Sequence, residues 1–284
     1  MKILQKTYLF LSLLSASACE PDIQTELLPL KKQVVVDGWI EQGNFAYVFL
    51  TYNTPYFSNL DSASFRALVA TYAKVTISDG ENSEILTLMR DTNYFPPVFY
   101  RGTELKGKVG KTYSLIIVDN LDTITASTTI NQPVVLDSIW FEFNSKGDSM
   151  GIVKGTFTDN VNVKNYYRTF TKIKNVNKVF VPTLISNFDD KYFNGERFTF
   201  SLKKGPETYL KPVKNIYYSR GDSIQVKITS IDEKSFKFWV NYQDEVINSG
   251  NPFAASHKKV TSNINGGLGI WCGYGSSYYL VIAK

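Results

Sequence analysis

The stretch "KQVVVDGWIEQGNFAYVFLTYN", residues 32–53, decides how the chain is read. Its first half is rich in β-branched residues and pauses at Asp37-Gly38, and the four residues "EQGN" (41–44) have the composition of a tight turn. The second half is again strand-like, so the whole predicts a β-hairpin. The same pattern repeats downstream. "YAKVTISDG" (72–80) alternates into a turn and pairs with "SEILTLMRD" (83–91), and "GKVGKTYSLIIVD" (107–119) pairs with "DTITASTTI" (122–130). Strand signals every 8–12 residues without a helical period predict an immunoglobulin-like β-sandwich over 32–133. The segment 53–72, "NTPYFSNLDSASFRALVATY", departs from it and is expected to be a long loop with a short helix.

Pro133 closes this unit, and a second antiparallel β domain is expected over 134–284. Its strands are read in 134–144, 151–159, 165–174, 178–184, 196–204 and 223–231, and a final pair in "NGGLGIWCGYG" (265–275) and "SSYYLVIAK" (276–284). One amphipathic helix is predicted near 235–248. Asp232 caps it, Phe236, Trp239, Val240, Val246 and Ile247 mark its apolar face, and Gly250 and Pro252 end it. The fold class expected is mainly β.

The N-terminus reads as an export signal. Lys2 and Lys6 precede the apolar run "TYLFLSLL" (7–14), which is too short for a permanent membrane helix of about 20 residues. Ala16, Ser17 and Ala18 then lead into Cys19. Small residues followed by a cysteine resemble a bacterial lipobox, although Ala16 stands where leucine is usual. The expectation is a signal peptide over 1–18, lipidation of Cys19, and a tether over 19–31. Glu20 and Asp22 resemble the early acidic signal of Bacteroidota lipoproteins sent to the outer face of the outer membrane. The tether gives a reach of about 43 Å at about 3.3 Å per residue. The second cysteine, Cys272, is then a lone thiol, and "GIWCGYG" suits a small buried residue.

Charge and chemistry narrow the function. The formal charge is +5, and losing Lys2 and Lys6 lowers it by two; it is spread along the chain, which argues against nucleic-acid binding. His257 is the one histidine, so neither an imidazole metal cluster nor a histidine triad is expected, and no GxSxG elbow is present. "NFDDKYFNG" gathers Asn187, Asp189, Asp190 and Asn194, either a hard-cation site near Asp189 and Asp190 or a capped turn between strands. "NGGLG" lacks both the P-loop ending and the dinucleotide spacing and reads as a place of close backbone approach. Arg220-Gly221-Asp222 reads as a hairpin turn. No cofactor, no metal and no catalytic residue is expected.

Aromatic residues offer a partner surface. Tyr56, Phe57 and Phe65 lie in the first long loop, and Tyr94, Phe95, Phe99 and Tyr100 surround Pro96-Pro97. Such rings either pack in the core or anchor a partner, and the two loops are expected to converge at one end of the sandwich.

Eight segments, in order, carry a resemblance: "VVVDGWI", "VTISDG", "GKTYSLII", "NYYRTF", "DDKYFNGERF", "SRGDSIQVKITSID", "GNPF" and "SNINGGLGIW". The chain resembles the Bacteroidota lipoprotein family of domain-of-unknown-function family 4249. The resemblance implies a surface lipoprotein of the outer membrane, encoded beside a SusC-like TonB-dependent transporter, and brings no catalytic residue with it. The function expected is a lipid-anchored accessory binding subunit of such a transporter, on the cell exterior; the alternatives are a scaffold or assembly subunit without a ligand, and, third, an enzyme.

Overall fold

The opening hairpin forms as read: β1 (Val34–Glu41) and β2 (Phe45–Tyr52) pair antiparallel across a turn at Gly43. The computed structural model describes residues 31–55, 61–120, 122–206, 215–248 and 260–284. In chain order the further elements are α1 (Ser62–Ala67), β3 (Lys74–Ser78), β4 (Ser83–Ile85), β5 (Thr87–Arg90), β6 (Val98–Lys106), β7 (Thr112–Val118) and β8 (Thr123–Thr129). The second half adds β9 (Ser138–Phe143), β10 (Met150–Thr158), β11 (Tyr166–Ile173), β12 (Val181–Asp189), β13 (Arg197–Leu202), β14 (Tyr218–Ser219), β15 (Ser223–Ile231), α2 (Glu233–Asn248) and β16 (Leu268–Ile282). The protein is mainly β, as expected.

One eight-stranded sheet, in the order β12-β11-β15-β16-β1-β2-β6-β5, is the backbone of the fold. Two four-stranded sheets complete it: β4-β3-β7-β8, and β13-β10-β14 with β9 also on β10. Alternation along β16 shows how they stack. Trp271 joins the first core, with Val36, Val48, Ile77, Tyr113 and Leu115, while Val281 and Ala283 join the second, with Phe157, Phe200 and Ile228. Trp271 and Val281 of β16, and Ala283 just past its end, have one parity and therefore one face. Both small sheets thus cover the same face of the large one. Residues of the other parity, Ile270, Cys272 and Tyr274, form a third cluster on the opposite face with Phe238 and Trp239 of α2.

The boundary at Pro133 marks a change of core and not a break in the large sheet. Lys32–Lys284 is one compact unit. Its junction is β16, read from sequence as two strands and found as one of 15 residues. Leu268–Tyr274 pairs in parallel with β1, and Gly275–Ile282 pairs antiparallel with β15, so "GSS" marks a change of partner. Side chains cap the half-free edges. Asn263 exchanges two hydrogen bonds with the Trp271 backbone, at 2.7 and 2.9 Å, and Gln42 does the same for Ser276.

The apparent pause at Asp37-Gly38 is also resolved. β1 is continuous, and Gly38 makes room for Trp271, since a Cβ there would stand 2.9 Å from the indole. Trp271 is fully buried and donates its Nε1 hydrogen to the Tyr113 carbonyl at 3.0 Å. Gly269 (φ 104) lets β16 approach β1 so closely that a Cβ would fall 1.9 Å from the Val36 oxygen. That is the close backbone approach expected of "NGGLG".

Other elements differ from expectation. "SEILTLMRD" divides between sheets, β4 pairing with β3 and β5 with β6. Helix α2 keeps its Asp232 cap, whose Oδ1 accepts from the Ser235 amide at 2.7 Å. Of its predicted apolar residues Phe236 and Trp239 join the third cluster, beside Phe238 and Tyr242, whereas Val240 does not. The Arg220-Gly221-Asp222 triplet makes a tight turn, but β14 and β15 belong to different sheets, so it is a corner and not a hairpin. Gly250, Pro252 and His257 lie outside the described residues.

Candidate functional site: the outer face of the large sheet

The face of the large sheet turned away from the two small sheets carries an aromatic panel. In β2 the core-facing residues Ala46, Val48 and Leu50 alternate with Phe45, Tyr47 and Phe49, so both faces of this strand are apolar. Trp39 of β1 stacks on Tyr47 (5.3 Å between ring centres, 8° between planes) and on Phe49 (5.6 Å). Phe99 of β6 lies 4.9 Å from Phe49 and 5.5 Å from Tyr47, and Tyr94 packs edge-on to Phe99 at 5.2 Å. Arg101 sets its guanidinium 5.3 Å above Tyr47 and 5.6 Å above Phe45. Phe49 and Phe99 are buried; Trp39, Tyr47 and Tyr94 are half-buried. The Tyr94 hydroxyl is pushed up to about 12, by burial first and then by Tyr47 and Asp91.

Beside the panel the same face holds charges inside the protein. Lys227 of β15 and Glu41 of β1 form an ion pair at 3.4 Å, both nearly buried, and Tyr278 donates its hydroxyl hydrogen to Glu41. Phe170 lies 4.5 Å from the Lys227 ammonium, with Tyr274 and Phe180 slightly farther. Burial pulls the Lys227 ammonium below the ordinary lysine value, against the opposing pull of Glu41. Arg168 of β11 donates from Nη1 to the Tyr274 hydroxyl at 2.9 Å and stacks on Trp239. Cys272 is buried among them, a free thiol pushed up to about 12 by burial.

The sequence-predicted residues separate on this framework. Phe65 on α1 and Phe95 stack at 4.8 Å, so the two aromatic loops do meet. Phe95 is 70% exposed. Tyr94 links that stack to the panel. Phe99 and Tyr100 are corrections, since both lie in β6 with 3% exposure and are closed to a partner. Tyr100 belongs to the first core, its hydroxyl accepting from the Ala73 amide and donating to the Ala70 carbonyl. Tyr56, Phe57 and Cys19 lie outside the described residues.

Near Asp189 and Asp190 the structure has a turn between β12 and β13. Asp190 is 2% exposed and accepts from the Asn165 amide at 2.6 Å, and its carbonyl accepts from the Phe193 amide. Asn187 spends its amide on Ser186 and Gln243. Among the described residues no group of three or more His, Cys, Asp or Glu side chains is placed to hold a metal ion, and no helix is long and apolar enough to cross a membrane.

Trp39, Tyr47, Phe49, Arg101, Glu41, Arg168 and Lys227 were not singled out from sequence. The signal for Tyr47 and Phe49 is legible in retrospect: with Phe45 they put an aromatic residue at every second position of a strand whose other face is already apolar. For Lys227 it is a lone cation between Val226 and Ile228 in a β-branched strand.

Stacked sheets, a helix on one outer face and an aromatic panel beside it define a mainly β protein of sandwich-like build. The chain belongs to the family described as domain of unknown function (DUF4249), which it matches over residues 18–278. No curated protein matches it. Among solved structures it is similar to bovine butyrophilin at 9% identity, over 70% of this chain and 92% of that one, with a TM-score of 0.19, too loose a superposition to carry an argument.

Proposed function

We propose that this chain is a lipid-anchored accessory binding subunit of an outer-membrane complex built on a SusC-like TonB-dependent transporter, displayed on the cell exterior and acting by binding rather than catalysis. The observation that carries the reading is the aromatic panel. Rings that cover an outward sheet face, three of them still half-exposed and an arginine above them, suit capture of a partner or a ligand. The Phe65–Phe95 stack extends that surface at the loop end. Cys19 after a short apolar leader supports the anchor, and the family resemblance supports the neighbouring transporter.

The test combines fractionation with co-purification at native expression level. Cys19→Ser should leave the protein folded but release it from membranes, because only the thiol is acylated. Trp39→Ala with Tyr47→Ala should weaken recovery of a TonB-dependent transporter while unfolding stays cooperative. Membrane retention of the serine variant would remove the anchor from the reading. A complex recovered in full from the folded double variant would favour the scaffold role instead.

A further inference from the structure

At the other end of the same outer face, three lysines converge. Lys172 lies one residue before the end of β11, Lys174 and Lys178 stand in the turn that follows, and with Ser223, Gln225 and Leu280 they line a cavity of about 450 Å³. No carboxylate lines it, and none of the three lysines has an ion pair among the described residues. The turn holds them together by its own bonds. The amides of Val176 and Asn177 donate to the Ile173 carbonyl, the Asn177 side chain accepts from the Ile173 amide at 2.8 Å, and the Lys174 amide donates to Ser223. Three cations held together without a counter-charge make a site for an anion.

The cavity is also bordered by grease. Register places Leu280 beside Gln225 and Gln225 beside Lys172. Along β16, Tyr278, Leu280 and Ile282 share that face and are 50%, 62% and 44% exposed. Phosphate alone has no use for such a stripe, and an acidic protein surface has no use for two aliphatic side chains beside its carboxylates. A phosphate-bearing lipid headgroup, with the interfacial hydrocarbon next to it, answers both features.

We propose that this cavity binds the phosphate of anionic lipid headgroups, seating Tyr278, Leu280 and Ile282 against the membrane interface. This contact uses residues apart from the aromatic panel and does not depend on the acyl anchor.

The probe is co-sedimentation of the full chain carrying Cys19→Ser, with vesicles of phosphatidylcholine alone or mixed with phosphatidylglycerol. Binding should favour the mixed vesicles and fall with salt. Lys172→Gln, Lys174→Gln and Lys178→Gln together should reduce it on the order of a hundredfold, about fivefold per lysine. Leu280→Ser with Ile282→Ser should weaken binding yet keep the preference for the anionic lipid. Because the leader is common to every variant, the comparison isolates the cavity. Undiminished binding by the folded lysine variant overturns the proposal. So does a site that takes inorganic phosphate, or an acidic protein, without preferring the anionic vesicles.

Discussion

The guanidinium of Arg168 lies 3.3 Å from the centre of the Trp239 ring, joining the large sheet to helix α2. The stack ties two elements that the chain keeps about 70 residues apart and closes the third core.

Trp239→Ala should therefore be costly. Trp239 is 8% exposed, and its truncation is expected to lower stability by about 3–5 kcal/mol in urea unfolding. Arg168→Met should cost less, because methionine keeps apolar volume against the ring, whereas alanine in place of Trp239 leaves a cavity. A larger loss for Arg168→Met than for Trp239→Ala would show that the charge itself holds the site.

Glu84 of β4 bolts the small sheet to β6 of the large one. Its buried carboxylate accepts from the amides of Thr103, Glu104 (3.0 Å) and Leu105 (2.8 Å). Burial acts to raise its pKa, but these amides together outweigh it and hold the group below its ordinary 4.5. A depressed carboxylate stabilises fully above its unfolded value and loses that contribution as pH falls through the folded one. Stability should thus fall in acid below about pH 4.5. Glu84→Ala should cost at least about 2 kcal/mol at neutral pH, by stranding those amides, and flatten the acid loss. An unchanged acid limb in this variant would assign the loss to other carboxylates.

Phe95 and Phe99, four residues apart, should respond oppositely. Phe99→Ala opens a hole in a buried stack and is expected to cost about 3–5 kcal/mol. Phe95→Ala removes an exposed ring and should stay within about 1 kcal/mol while weakening partner recovery. Thermal melts beside co-purification separate the two, and intact recovery from Phe95→Ala removes this loop from the interface.

Cys272 should be silent to thiol reagents in the native state. It is fully buried, and burial holds its thiol near 12, so hardly any thiolate exists at neutral pH. In a Cys19→Ser background a disulfide-exchange reagent should find no thiol before urea unfolding and one after it. Rapid native labelling would mean that the face under α2 opens.

Much of this protein follows from local pattern. Period-two alternation places the strands, Gly43 and Gly80 take positive φ at turns, Asp61 and Asp232 cap the helices, and the surroundings of Cys272 announce its burial. The turn at Asp190 is legible too, since an aspartate between two strands readily caps backbone amides. What the tertiary structure decided is pairing and facing. The parallel contact of Val35 with Leu268 joins positions more than 200 residues apart, and nothing local announces it. It makes β16 one strand with two successive neighbours and carries one sheet across the boundary at Pro133. Facing was undecidable from pattern where both parities are apolar, as at Phe45–Leu50 and Tyr94–Tyr100. Alternation tells which residues share a face, but only the sheets packed above and below decide which face meets the core.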